Sequence, residues 1–467
     1  MFKKLFVYFL LYLLTIGIIL SVFFLTPDQG YNFPFIRFVI ISFASILLVK
    51  YFIYMVISPW HDVYIAWDTN RRRAMHKNKK YLPKVSVLVP ARNEEDGIIT
   101  TIKALLESSY KNMEIIVIDN ASTDNTSLNV KKLINSYNES LDLEQQNIEV
   151  IYLKEETPGK GHALNKGIRL AKGEIIISID ADCYVPSDTI QNFVNHFKNP
   201  QVMAAVGNVK IGNTNSLLGV VQYLEFLFSF YFKKCDSILG SIYIIGGAAG
   251  AFRKKVFEEI GDYSVTNITE DIDITFRIQY AGMKIVYAED AVVYTEGAAD
   301  LKGLMAQRLR WKRGRIETFL DYQKMFFSPN KAHKKVLSWF ILPLAIFGDM
   351  QLFMELFFIL FVYIYSYLTN DYSSFISGII VVTSMFMVQI LFDRRVKKRA
   401  RLMLLAPIGW LLFYASSFVE FYALVKTFWS YLRKEKIEWQ VWKREGVFSE
   451  EIKESIVLSK DNQHIIQ

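Results

Sequence analysis

Long, nearly uncharged apolar runs stand only at the two ends of this 467-residue chain, and the residues with chemical promise lie between them. Leu5–Leu25 carries no charge and is long enough to cross the ~30 Å hydrocarbon core of a bilayer. Ile36–Ile57 follows, with Arg37 and Lys50 near its ends, where long side chains reach the interface. A cleaved leader is the poorer reading of the first run, because its apolar part is too long and no small-residue cleavage site follows. The link Thr26–Pro34 has no Lys or Arg. By contrast, Lys3 and Lys4 precede the first run, and Arg71, Arg72, Arg73, Lys77, Lys79 and Lys80 follow the second. Positive charge collects on the cytoplasmic side of membrane proteins, so the N-terminus and the middle of the chain are expected in the cytoplasm.

The C-terminal third repeats the pattern. Leu337–Leu368 and Phe375–Phe392 are apolar, Thr369–Ser374 between them has no positive charge, and Asp393–Arg401 is strongly basic. Pro407 and Gly409 interrupt the last apolar run, Leu402–Trp429, which favours an interfacial half-helix, a re-entrant piece and a cytoplasmic tail. The expected organisation is two transmembrane helices in 1–60, a cytoplasmic domain in 61–330, transmembrane or interfacial helices in 331–430 and a tail in 431–467. The 54 Lys and Arg exceed the 46 Asp and Glu. Because the basic residues flank apolar runs, the expected partner is a lipid bilayer and not nucleic acid. Two cysteines, Cys183 and Cys235, exclude a disulfide-stapled scaffold.

Between the apolar ends, Val85–Val89, Glu114–Ile118, Val150–Leu153 and Ile175–Ile179 are short runs rich in Val and Ile, alternating with helical patterns. That alternation predicts an α/β domain with a mostly parallel sheet and helices on both faces. Ligands of such sheets bind at the carboxyl ends of the strands, and several of these ends carry acids. Asp180 and Asp182 follow four isoleucines and a serine. Two apart in a strand, they would point to one side and offer hard oxygen ligands to Mg2+ or Mn2+. The competing reading of any strand-end Asp is a helix N-cap. Gly159–Asn165 is a glycine-flanked loop in which Lys160 and backbone N–H groups suit a phosphate, although a flexible cap explains it equally well. Thr269 followed by Glu270, Asp271 and Asp273 opens a helical pattern, where a capping Thr and a favourable helix dipole are a sufficient structural reason. Gln307 and Arg310 share a helical face beside Arg308 and Trp311. Arginine forks match phosphate oxygens and the indole face stacks on sugar rings, while a basic helix on a lipid surface is the alternative.

Taken in order, Pro90–Glu94, Asp119, Asp180–Asp182, Gly246–Phe252, Thr269–Asp271 and Gln307–Trp311 resemble the membrane-embedded, processive family 2 glycosyltransferases. That group includes cellulose, hyaluronan and poly-N-acetylglucosamine synthases, and the likeness is greatest to the last. The resemblance implies a GT-A type fold flanked by transmembrane helices at both ends. It also implies a UDP-sugar donor, first of all UDP-GlcNAc, and a growing polysaccharide as acceptor. Pro90, Asn93, Glu94 and Asp119 would line a uridine pocket with Lys160 nearby. Asp180 and Asp182 would hold the nucleotide and a divalent metal, Mg2+ or Mn2+. Asp271 would be the general base, with Glu270 shaping its site. Gln307 and Arg310 would grip the diphosphate, and Trp311 would stack on the acceptor sugar. Glu438–Arg444 is the candidate for a segment closing over the nucleotide, and the resemblance leaves room for a small membrane partner subunit. Two rivals share the donor-site residues: a non-processive transferase acting on a lipid acceptor, and a transporter or sensor that only binds the nucleotide-sugar.

Overall fold

The computed structural model describes residues 53–75, 81–139, 148–370, 372–393 and 399–433. The run Leu5–Leu25, most of Ile36–Ile57 and the candidate closing segment Glu438–Arg444 therefore lie outside the described residues. The chain divides into two compact units: Met1–Lys77, Leu227–Ile238 and Leu344–Tyr422 in one, and Asn78–Phe226, Leu239–Pro343 and Ala423–Gln467 in the other.

The second unit carries the sheet. After helix α1 (Trp60–Met75), the chain alternates β1 (Val85–Ala91), α2 (Ile98–Leu106), β2 (Met113–Asn120), α3 (Thr126–Glu139), β3 (Ile148–Glu155), α4 (Lys160–Leu170) and β4 (Ile175–Ser178). Then come β5 (Cys183–Tyr184), α5 (Thr189–His196), β6 (Val202–Ile211), α6 (Leu217–Leu239), β7 (Gly250–Arg253), α7 (Lys254–Ile260), α8 (Glu270–Tyr280), β8 (Lys284–Thr295) and α9 (Leu301–Asp321). Every side chain of β1 and β2 is buried, so both faces of the sheet are covered there, as continuous Val/Ile strands require. Helix α2 presents Ile98, Ile102 and Leu105 to the core at helical spacing. Gly167 lets α4 approach β1 and β2 closely: a β-carbon there would meet Leu88 at 3.0 Å and Ile118 at 3.1 Å.

The eight strands lie in the order β3-β2-β1-β4-β7-β6-β8-β5. Strands β3, β2, β1 and β4 form one parallel block, as the alternation predicts. The sheet as a whole is mixed, which corrects the expectation of a mostly parallel one. Strand β7 runs antiparallel to both β4 and β6, β6 pairs parallel with β8, and β5 pairs antiparallel with β8. The reason is local: β7 reads Gly-Ala-Phe-Arg, with no β-branched residue to announce a strand. Its direction matters for function. Gly250 pairs with Ser178, so β7 begins at the edge where the parallel block ends, and the preceding segment Gly246–Ala249 is delivered to that edge.

Further on, the chain forms α10 (Leu342–Thr369), α11 (Ser373–Phe392), α12 (Arg399–Leu405) and α13 (Gly409–Leu432). The expected break at Pro407 is present as a single 3-10 turn, Ala406–Ile408, between α12 and α13. Among the described residues no helix is long and apolar enough to cross a membrane. The runs expected as spans, Leu337–Leu368 and Phe375–Phe392, fall for the most part in helices α10 and α11.

Candidate active site

Two loops clasp each other at the carboxyl ends of β1 and β2. Pro90 is buried in β1, two residues past Leu88, the last to pair with β4. Asn93 takes a left-handed φ of 55°, a region that asparagine enters more readily than most residues. Its Oδ1 accepts from Thr123 N–H at 2.8 Å, and its own N–H donates to Ser122 Oγ at 3.0 Å. Glu94 N–H donates to Thr126 Oγ1 at 2.8 Å. Asp119 is 1% exposed; it accepts from Ser122 N–H at 3.1 Å and from the Tyr152 hydroxyl at 3.0 Å. With both oxygens engaged it acts as the floor of this corner. Asn120, next to it, binds Thr157 C=O at 2.7 Å and accepts from Gly159 N–H at 2.7 Å, tying β2 to the loop before α4. Neither Asn120 nor Tyr152 stands out in the sequence, where one reads as a turn residue and the other as a strand former.

Lys160, the first residue of α4, sits at the centre of an acidic cluster. Its Nζ lies 2.6 Å from Asp180 Oδ1 and 3.5 Å from Glu270 Oε1. Burial alone would depress its ammonium, but Asp180, Glu270 and Asp271 outweigh that and hold it well above the usual lysine range. The segment before β7 completes the cluster: Gly247 N–H donates to Asp271 Oδ2 at 3.0 Å. A β-carbon on Gly247 would lie 2.6 Å from Lys160 Nζ, so only glycine fits between the ammonium and the acid without moving one of them. Asp271 is pushed up to about 6, first by burial and then by Glu270, while Lys160, the Gly247 N–H and Arg310 pull it down. Arg310 of α9 thus shares this cleft with Asp271 of α8, Asp180 beyond β4, and Lys160 of α4.

Asp180 and Asp182 are not within a strand. Strand β4 ends at Ser178 and β5 starts at Cys183, so the pair occupies the turn between them, and the two-residue strand period does not govern their directions. Gly97 packs against this turn, where a β-carbon would meet Ala181 C=O at 3.3 Å and Asp182 Cα at 3.4 Å. Thr101 holds it from below by donating to Ala181 and Cys183 carbonyls, each at 2.7 Å. Asp182 Oδ1 accepts a long bond from Thr295 Oγ1 at 3.4 Å. Both carboxylates remain half-exposed. Among the described residues no third His, Cys, Asp or Glu closes on them to form a cage. A two-carboxylate set fits Mg2+ or Mn2+ that brings its other ligands, phosphate oxygens and water, along with a nucleotide.

Helix α9 is set by two devices. Asp300 caps it, accepting from Gly303 N–H at 2.7 Å. Gly314 lets it press on Thr269, to which a β-carbon at 314 would come within 2.1 Å. Thr269 itself makes no side-chain cap to α8; its hydroxyl donates to Asn267 Oδ1 at 3.1 Å. Thr269 thus holds the expected N-cap position, its C=O accepting from Asp273 N–H at 3.2 Å, but its side chain does no capping. Among the described residues, Gln307 Oε1 is buried without a hydrogen-bond partner. An amide oxygen cannot take a phosphate, so this atom calls for an N–H or O–H donor from a ligand. Trp311 is half-buried beside it.

An eight-stranded mixed sheet with acids, a lysine and an arginine gathered at the carboxyl ends of its parallel block is a GT-A-like α/β fold. Its likeness extends to the mannosyltransferase PcManGT of Pyrobaculum calidifontis, solved with GDP-Man and Mn2+, at a TM-score of 0.50 and 20% identity over 82% of this chain and 99% of that one. The glycosyl transferase family 2 model matches residues 86–261, and the glycosyl transferase family group 2 model matches residues 175–424. The chain belongs to glycosyl transferase family group 2. Among curated relatives, poly-beta-1,6-N-acetyl-D-glucosamine synthase of Staphylococcus aureus (strain MSSA476) is 29% identical over 280 residues, which is 58% of this chain and 65% of the relative's length. The same-named synthase of Staphylococcus epidermidis (strain ATCC 35984) is 27% identical over 342 residues, 71% of this chain and 80% of that one.

Proposed function

We propose that this chain is an inverting, membrane-attached glycosyltransferase that polymerises a β-linked polysaccharide from a UDP-sugar, UDP-GlcNAc first among donors, and feeds it into a membrane channel. The observation that carries the reading is the convergence of Lys160, Asp180, Glu270, Asp271 and the Gly247 N–H, with Arg310 close enough to act on Asp271. A sugar hydroxyl is a weak nucleophile, and a buried carboxylate that titrates near 6 is matched to removing its proton at neutral pH.

In this reading Asp271 accepts the acceptor hydroxyl proton as the oxygen bonds to the anomeric carbon. The bond from that carbon to the β-phosphate oxygen breaks, and its electron pair leaves with UDP. A single displacement turns an α-linked donor into a β-linked product. Arg310 and the amide nitrogen of Gln307 receive the charge developing on the diphosphate, and the orphaned Gln307 Oε1 takes a sugar hydroxyl or amide N–H. Asp180 and Asp182 would hold Mg2+ or Mn2+, which when bound neutralises the diphosphate. Lys160 keeps Asp180 and Glu270 in place beside the base. Pro90, Asn93, Glu94 and Asp119 build the uridine corner, and Trp311 offers its ring to the acceptor.

Membrane attachment is supported by Leu5–Leu25 and Ile36–Ile57 as sequences, and by α10, whose exposed Phe353, Phe357, Leu360, Ile364 and Tyr367 fall on one stripe. Such a stripe suits lipid better than water. The test is to incubate washed membranes with a panel of UDP-sugars and Mg2+ or Mn2+, and to size the product. A long β-linked polymer with stoichiometric UDP release is expected. A single-sugar glycolipid would replace polymerisation by transfer to a lipid acceptor, and UDP binding without turnover would make the protein a binder alone.

A further inference from the structure

Arg308 is the most deeply buried charge on α9, 5% exposed, and the catalytic scheme gives it no work. Its Nη2 donates to Glu225 Oε2 of α6 at 2.8 Å, and its guanidinium lies over the Trp311 ring, 4.5 Å from the centroid. Phe226, the neighbour of Glu225, meets the same indole at a 51° tilt with centroids 6.4 Å apart. Three residues apart on a helix, Arg308 and Trp311 necessarily share a side, yet nothing in helix geometry requires stacking. The ion pair to Glu225 supplies that: it pins the guanidinium plane, and the plane in turn occupies one face of the indole. A buried arginine anchored at one end and stacked at the other leaves Trp311 one ring face for a ligand and little freedom to rotate.

We propose that Glu225 and Arg308 are positioning residues for the acceptor: the pair clamps one face of Trp311 so that the other stands ready for the terminal sugar of the growing chain. This rests on the polymerase reading above, because a stacked acceptor is needed only where a saccharide end must be held in place. The pair holds the ring that meets the acceptor, so the clamp acts on acceptor affinity and not on the nucleotide.

The test uses the full chain in detergent with UDP-GlcNAc, Mn2+ and short β-linked N-acetylglucosamine oligosaccharides, following UDP release. In Arg308→Met the acceptor KM rises about tenfold, the scale of a lost cation–π contact in a desolvated site, while donor KM and kcat at saturating acceptor stay within about twofold. Glu225→Gln keeps its shape and a hydrogen-bond acceptor, and gives a smaller rise of the same kind; it also keeps the test informative if Arg308→Met does not fold. An unchanged acceptor KM in a folded variant overturns the clamp, as does an equal loss in donor and acceptor terms, which marks a merely structural role. Absence of oligosaccharide-dependent turnover in the unaltered protein overturns the polymerase reading and the clamp with it.

Discussion

Gly314→Ala is a one-carbon test of how the cleft is assembled. The new β-carbon would stand 2.1 Å from Thr269 Oγ1, 2.5 Å from Cγ2 and 2.7 Å from Cβ. Thr269 is buried and directly precedes α8, so it has little room to yield. Reaching even a 3.0 Å contact requires α9 and α8 to separate by about 0.9 Å at this point. Alanine in a helix interior gains about 1 kcal/mol over glycine, whereas overpacking costs about 1–3 kcal/mol, so the net is a modest destabilisation of up to ~2 kcal/mol. Catalysis suffers more. Arg310 lies one turn from residue 314 and Asp271 two residues from Thr269, so the separation falls between Asp271 and Arg310. A misplacement of about 1 Å can lower turnover on the order of 100-fold. UDP release from purified membranes, read beside a thermal melt, measures both effects. Thr269→Ala in the same chain removes the two nearest atoms and should restore part of the rate. Wild-type turnover in Gly314→Ala would refute the idea that this contact sets the distance between α8 and α9.

Asp271→Asn should lower turnover by about 100-fold or more while UDP binding, followed by calorimetry, stays near normal; retained turnover removes Asp271 as the base. The acid limb of kcat/KM should fall about tenfold per pH unit below about 6, because Asp271 must be ionised to accept a proton and burial raises it to that value. Lys160 lowers Asp271, so Lys160→Met should move that limb to higher pH; a limb that stays put contradicts the cluster's electrostatics. Asp182→Ala should weaken Mn2+-dependent UDP binding and leave metal-free binding alone, and unchanged Mn2+ dependence would remove Asp182 from the metal set.

The parallel block was legible because Val85–Val89, Glu114–Ile118, Val150–Leu153 and Ile175–Ile179 alternate with helices, a pattern only buried parallel strands need. The antiparallel insertion was not, since the four residues Gly250–Arg253 hold no β-branched residue and take their direction from pairing across the sheet. Strand β8 is likewise disguised, its run broken by Glu289 and Asp290 beside a register shift against β6. At the site, acids and arginines are visible as residue types, and Asp180, Glu270, Asp271 and Lys160 do meet. Their wiring is not visible. That Lys160 pairs with Asp180, that the Gly247 N–H bonds Asp271, and that Gly314 sets the approach of α9 are facts of tertiary distance. In the sequence Gly314 reads only as a poor helix former, and Gly247, although it falls in the stretch Gly246–Phe252 that carries the resemblance, gives no sign of the partners it meets.

The most direct test is a structure of the full chain with UDP and Mn2+, with the ion placed by anomalous scattering. The account predicts Mn2+ within coordination distance of Asp180 or Asp182, the diphosphate facing Arg310 and Gln307, and Asp271 open to the anomeric side of the leaving oxygen. Nucleotide or metal bound away from these residues would contradict it.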